Sequence, residues 1–149
     1  MSVKPIPDGY HTLTPYLMVE GAGKLIDFVK QAFEAIEVER MNGPDNTVGH
    51  AAVRIGDSVL MMSDARGEWK PMPGAIYLYV KDADATYKRA LQAGATSLME
   101  PADQFYGDRS AGVKDPVGNY WWIATHKEDL SSEELRKRAE EYMKKHQKG

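Results

Sequence analysis

The sequence predicts an α+β domain built from two βαβββ halves. Each half carries a curved, mixed and mostly antiparallel sheet, and a further helix follows at the C-terminus. Three observations predict it. Short apolar runs with strand character surround one amphipathic helix in each half. The order of elements repeats at a nearly fixed offset, with Val19 answered by Val80 61 positions on and Val53-Arg54 by Val113-Lys114 60 positions on. The 149 residues, 42% of them hydrophobic, suffice for one core and are too few for two ordinary domains. Two such halves read as one duplicated module, neither able to close a core alone.

Taken in order, Leu13 to Val19 (LTPYLMV) reads as a strand, with Pro15 marking an edge or a strand start. Gly21 to Gly23 break it, and Leu25, Ile26, Val29, Ala32, Phe33 and Ile36 recur at helical spacing. Ile36 to Met41 suits a strand, and Asn42-Gly43-Pro44-Asp45-Asn46 is a dense turn signal. His50 to Ile55 and Ser58 to Ser63 form a hairpin through Gly56-Asp57, closing a first module over residues 10–65. Residues 64–74 (DARGEWKPMPG) have neither period and link the halves.

The pattern then restarts for a second module over residues 75–126. Ala75 to Val80 is a strand, Asp82 N-caps a helix through Ala93, and Gly94 ends it. Thr96 to Met99 is a short strand. Ala111 to Lys114 leads through the turn Asp115-Pro116-Val117-Gly118 into Asn119 to Thr125, and the extra residue of the second half falls in that turn. Over residues 131–147, Ser131 with Glu134 has capping-box spacing, and Leu135, Ala139, Tyr142 and Met143 mark a narrow apolar seam. That helix is expected to dock on its own domain or on a second copy, with fraying from Lys144 to Gly149.

Composition narrows the function. A net charge of −3 leaves no basic field for a phosphate backbone, so no nucleic acid partner is expected. With no cysteine there are no disulfides, thiolate metal sites or cysteine nucleophiles, which fits a reducing compartment. Met1 to Tyr10 has no apolar core of a signal peptide, and no apolar run approaches the roughly 20 residues of a membrane span. A cytoplasmic location, with no membrane partner, is the expectation.

The stretches TPYLMV, LIDFVKQAF, HAAVRIGDSVLMMSDA and FYGDRSAGVKDPVGNYWWIATH together resemble the PhnB-like branch of the vicinal-oxygen-chelate superfamily, the glyoxalase/bleomycin-resistance/dioxygenase group, from about Tyr10 to His126. The resemblance implies cupped sheets facing each other across a pocket, and a homodimer. It does not choose a function, since the family includes glyoxalase I, dioxygenases, fosfomycin-modifying enzymes, epimerases and metal-free antibiotic-binding proteins.

In metal-dependent members, four His, Glu or Gln ligands come from equivalent strand positions, two per half. Carried over, those positions fall on Thr14, Met61, Ala75 and Trp122, and the repeat offset of 61 agrees with that register. None of the four suits a divalent ion, so no metal and no cofactor are expected. His11, His50, His126 and Glu100 show no ligand spacing, leaving a displaced site as the lesser alternative.

Alternation along strands puts Tyr16 and Met18 with Thr14, Val59 and Ser63 with Met61, Tyr77 and Tyr79 with Ala75, and Tyr120 and Ala124 with Trp122. The expected ligand-binding set is therefore Thr14, Tyr16, His50, Met61, Tyr77, Tyr79, Tyr106, Arg109 and Trp122, a wall of aromatic and thioether groups with hydroxyls as polar points. The lesser alternative is that these side chains simply fill the space and leave no cavity. The loop Asp103 to Ser110 is expected to rim the pocket, where Arg109 either clamps a carboxylate or phosphate or ties the loop down by an ion pair. His50 and Arg54 are further candidates for acid–base or anion-binding roles.

Three functions compete: a binding protein for a small, partly aromatic molecule; a metal-independent isomerase or lyase; and a metal-dependent glyoxalase or dioxygenase with displaced ligands. The sequence favours the first, and with it a non-catalytic role.

Overall fold

The structure, a computed structural model, describes residues 2–146. The first half runs β1 (Tyr16–Val19), α1 (Ala22–Phe33), β2 (Ile36–Asn42), β3 (Val48–Ile55) and β4 (Ser58–Asp64). The second runs β5 (Ala75–Tyr79), α2 (Ala83–Gln92), β6 (Thr96–Asp103), β7 (Asp108–Lys114) and β8 (Tyr120–His126), and α3 (Ser132–Lys145) follows. Each half forms a four-stranded mixed sheet, ordered β1-β4-β3-β2 and β5-β8-β7-β6. One parallel pair sits in each, β1 with β4 and β5 with β8, and the other neighbours are antiparallel. The expected α+β architecture is the observed one.

The repeat offsets reappear in the strand pairing. Tyr16 pairs with Met61 and Tyr77 with Trp122, while Ala52 faces Met61 and Gly112 faces Trp122. The helix starts match too. Asp64 Oδ1 accepts the Gly21 and Ala22 N–H groups at 2.8 and 2.9 Å, and its equivalent Thr125 accepts the Ala83 N–H at 2.9 Å. Each half thus satisfies open N–H groups at its helix N-terminus from the end of its last strand.

Several boundaries differ from expectation. β1 begins at Tyr16 rather than Leu13, because Pro15 has no N–H for the ladder and enters it only as an acceptor, to Met61 N at 3.0 Å. β6 runs on to Asp103 and β7 starts at Asp108, so only residues 104–107 of the expected loop form a turn. Ser131 Oγ caps Glu134 N at 3.0 Å, while Glu134 pairs with Arg138 at 3.0 Å. α3 ends at Lys145, and the expected end at 147 lies outside the described residues.

The core is one cluster between the sheets. α1 buries Ala22, Leu25, Ile26, Phe28, Val29, Ala32 and Phe33, a stripe wide enough to cover its own sheet and reach the other half. Phe33 meets Trp121 of β8 with ring centroids 4.8 Å apart. α2 contributes Ala83, Tyr87 and Ala90 and packs against α1. The halves therefore meet through the helix side of both sheets, and the other face of each sheet opens outward. Within one chain the two open faces do not confront each other across a shared pocket, as the resemblance implied.

The turn between β7 and β8 locks this core. Asp115 is buried and accepts from Val117 N, Asn119 N, Asn119 Nδ2 and Trp121 Nε1 at 2.8 to 3.0 Å. Asn119 Oδ1 in turn accepts the Gly74 N–H at 2.9 Å, tying the linker to β8. The DPVGNYW stretch is thus a hydrogen-bonded brace, with every buried side-chain polar atom of the turn partnered. Among the described residues, no helix is long and apolar enough to cross a membrane.

Candidate functional site

The nine residues expected to bind ligand fall into three places. Tyr16, His50 and Met61 stand on the open face of the first sheet, with Thr14 just ahead of β1. Tyr77, Tyr79 and Trp122 stand on the open face of the second sheet, joined by Tyr106 from the turn at residues 104–107. Arg109 is on neither. It points to the helix side, where its guanidinium bonds Asp84 of α2 at 2.7 and 3.0 Å and Asp103 at 3.3 Å. Of the two roles weighed for Arg109, the structure gives it the ion pair, and its fork is not presented to either open face.

The first face is overlain by the N-terminal segment. Pro5, Ile6, Pro7, Tyr10, His11, Thr12 and Thr14 line a groove of about 520 Å³ with Glu39 and Met61. His11 Nε2 lies 3.1 Å from the Asp57 carbonyl, anchoring the segment at the β3–β4 turn. Beside the groove, His50 Nδ1 is 3.4 Å from the Tyr16 hydroxyl and its Nε2 is 3.4 Å from Glu39. These are long contacts, which hold the ring loosely.

The second face is more tightly organised. Asp108, 4% exposed, opens β7 opposite His126 of β8. Its Oδ2 accepts the hydroxyls of Tyr77 and Tyr79 at 2.7 and 2.9 Å, and its Oδ1 lies 2.8 Å from His126 Nδ1. His126 Nε2 lies 2.7 Å from Asp129. Carboxylates only accept, so this geometry favours the imidazolium, in which both ring nitrogens of His126 donate. The Asp108 bond, then the Asp129 bond, raises the His126 pKa above its ordinary value. Burial alone would raise the Asp108 pKa, but the donors His126, Tyr77 and Tyr79 outweigh it and hold it below the usual carboxylate range. Burial and the hydroxyl contacts push the Tyr77 phenol up, and the Asp108 bond does the same for Tyr79, so both stay protonated.

Around this cluster large rings stand over small residues. Gly112, Ser110 and Ala124 share the face with Trp122 and Tyr79, and Ser110 and Ala124 are fully covered. Tyr77 and Tyr79 have ring centroids 5.2 Å apart, and Tyr120 and Trp122 6.0 Å apart. Tyr79 is 61% exposed and Tyr120 41%, a large aromatic surface for an open sheet face.

The turn carrying Tyr106 is held rather than free. Gly107 has φ +96°, and a Cβ there would stand 2.6 Å from the Glu128 carbonyl oxygen. Its own carbonyl accepts from Lys127 N at 2.8 Å and Glu128 N at 3.0 Å. Phe105 packs on Tyr142 of α3 with centroids 4.8 Å apart, and Arg138 reaches the Phe105 carbonyl at 3.4 Å while pairing with Glu128 at 3.0 Å. The C-terminal helix thus braces the turn on the rim of the second face.

Sequence reading missed Asp108 and His126 as a pair. The signal was present in strand parity. If β7 reaches Asp108 and β8 reaches His126, both fall on the face of Tyr79 and Trp122, whereas Arg109 falls on the other.

The four positions equivalent to family metal ligands divide between the two open faces, Thr14 and Met61 at the first, Ala75 and Trp122 at the second. A hydroxyl, a thioether, a methyl and an indole do not fit a divalent ion. The displaced candidates are also apart, with His11 on the Asp57 carbonyl, His50 beside Tyr16, and His126 between Asp108 and Asp129. Among the described residues, no three His, Cys, Asp or Glu side chains are placed to hold a metal ion.

A family profile for the Glyoxalase/Bleomycin resistance protein/Dioxygenase superfamily matches residues 10–123. An uncharacterised protein of Mycobacterium tuberculosis (strain H37Rv) is 37% identical over 134 residues, covering 83% of this chain and 79% of its own length. Among solved structures, TioX from Micromonospora sp. ML1 superposes with TM-score 0.67 at 20% identity, covering 78% of this chain and 98% of that one. An Arabidopsis thaliana gene product does so with TM-score 0.62 at 26% identity, covering 76% and 98%. The TioX likeness concerns the fold alone, but the profile spans most of the domain and its repeat. The chain belongs to the glyoxalase/bleomycin resistance protein/dioxygenase superfamily.

Proposed function

We propose that this chain is a small-molecule-binding protein of its superfamily, of the PhnB-like branch and cytoplasmic, which holds a planar, partly aromatic ligand on the open face of the second sheet without a metal. The observation that carries this reading is the Tyr77–Tyr79–Asp108–His126 cluster beside the half-buried Trp122 and the exposed ring of Tyr120. Its protons are committed: both phenols donate to Asp108, and both His126 nitrogens donate to carboxylates. Such a cluster fixes rings in place and offers no ready base, which favours recognition over proton transfer. The reading includes a homodimer, the assembly that the family resemblance implies.

The test is fluorescence titration with 2-naphthamide on the wild type and on Trp122→Phe, with mass spectrometry of the recovered ligand and light scattering for mass. Saturable quenching that disappears in Trp122→Phe, an unaltered ligand and a two-chain mass are expected. No saturable quenching, or a chemically changed ligand, contradicts the reading.

A metal-independent isomerase or lyase on the first face is the second reading, favoured by the His50 ring lying between Tyr16 and Glu39 next to the groove. It stands only if His50→Ala abolishes a measured turnover.

A further inference from the structure

We infer that the ligand of the second open face is a planar aromatic cation bearing N–H donors, such as an aryl amidinium or a protonated arylamine, and not an anion. This deepens the binding reading and rests on it. Tyr77 and Tyr79 each own one hydroxyl proton, and both protons are spent on Asp108 Oδ2 at 2.7 and 2.9 Å. What the two phenolic oxygens have left are lone pairs, so a ligand meeting them must donate.

His126 cannot donate to a ligand either, since Asp108 and Asp129 take its two N–H groups at 2.8 and 2.7 Å. Asp108, His126 and Asp129 together carry one net negative charge. Tyr106 keeps the one hydroxyl proton of the cluster not drawn to Asp108, its oxygen 3.5 Å from that of Tyr77. The only basic side chain standing on this face of β7 is Lys114, in the row of Tyr120, at the far end of the strand from Asp108. Arg109, next along the chain from Asp108, is turned away and neutralised by Asp84 and Asp103.

The rings supply the second half of the recognition. Tyr77 and Tyr79 lie 5.2 Å apart at an interplanar angle of 57°, and Tyr120 and Trp122 lie 6.0 Å apart at 54°. Tilted ring pairs of this kind present faces whose negative quadrupole attracts a cation. Acceptors, a net negative charge and aromatic faces all select the same ligand chemistry.

The experiment compares three probes of one size and three charges: benzamidinium, benzamide and benzoate, titrated by calorimetry and by the fluorescence difference between wild type and Trp122→Phe. Benzamidinium is expected to bind about tenfold more tightly than benzamide, with benzoate weakest. Tyr79→Phe, which removes one acceptor from an exposed ring together with one donor to Asp108, is expected to cut that preference at least threefold, by roughly one lost hydrogen bond to a charged group, with a fall in melting temperature of a few degrees that leaves the fold intact. Benzoate binding as tightly as benzamidinium, or an unchanged preference in Tyr79→Phe, overturns the inference. If benzamide binds beside Trp122 and the cation has no advantage, the inference fails while the binding reading stands. If none of the three perturbs Trp122, both fail.

Discussion

The Trp122 indole occupies the space a side chain at position 112 would need. A Cβ built on Gly112 would stand 2.6 Å from Trp122 Cε3 and 3.6 Å from Leu98 Cβ. Gly112 is the partner of Trp122 across β7 and β8, so the absence of a side chain there lets the ring lie against the sheet instead of standing off it.

Gly112→Ala therefore forces the indole to move. The expected cost is about 1–3 kcal/mol in urea unfolding, the usual range for overpacking, with a shifted Trp emission maximum and weaker binding of aromatic probes. An unchanged spectrum and stability would mean that the indole has another place to lie.

Asp108→Asn tests the polar cluster from its centre. The amide cannot replace a charged acceptor for three donors, and the loss of these bonds is expected to cost about 2–3 kcal/mol. The clearer readout is His126: with its first carboxylate partner gone, its titration followed by NMR should move down toward the ordinary histidine value. A His126 titration indifferent to Asp108→Asn would contradict the imidazolium assignment.

The pH dependence follows from two shifts of opposite kind. His126 has a raised folded pKa, so its contribution to stability is full below its unfolded value, about 6.5, and is lost as pH rises through the folded value. Asp108 has a lowered folded pKa, so its contribution is present above about 3.9 and is lost as pH falls through the folded value. Stability should therefore decline on the alkaline side of about 6.5, and His126→Gln should flatten that decline and also shrink the acid limb, which the Tyr77 and Tyr79 hydroxyls then sustain alone. Denaturant midpoints across pH 3 to 9 would measure both limbs.

Arg109 makes the opposite prediction to a ligand clamp. Arg109→Lys loosens the paired contact with Asp84 at the rim of α2, so a small fall in melting temperature is expected, with probe affinity unchanged. A large loss of affinity with intact folding would place Arg109 in the site after all.

What the sequence made legible is what periodicity and repetition encode. The offset of 61 between halves reappears as Tyr16 opposite Met61 and Tyr77 opposite Trp122, and Asp82 caps α2 at 3.1 Å as its position predicts. The relation of the halves was less legible, because Phe33 reads as one more apolar residue on a helix stripe, and nothing local says that it meets Trp121 across the core. The polar cluster was hidden by strand ends. Asp108 and His126 are poor strand formers at the limits of β7 and β8, so the readable strands stopped at Ala111 and Thr125, short of the two residues that face each other. Gly107 suggests a supple loop by composition, yet its φ and the closeness of Glu128 show a fixed turn.

The most direct measurement is a two-dimensional ¹⁵N–¹H NMR titration of the protein with 2-naphthamide, following the indole Nε1 signals of Trp69, Trp121 and Trp122 with the backbone amides. Binding on the second open face predicts that the Trp122 indole shifts together with the amides of Ser110, Gly112 and Ala124, while Trp69 and the groove beside Thr14 and Met61 stay still. Shifts confined to the groove beneath the N-terminal segment, or no saturable shift anywhere, would contradict it.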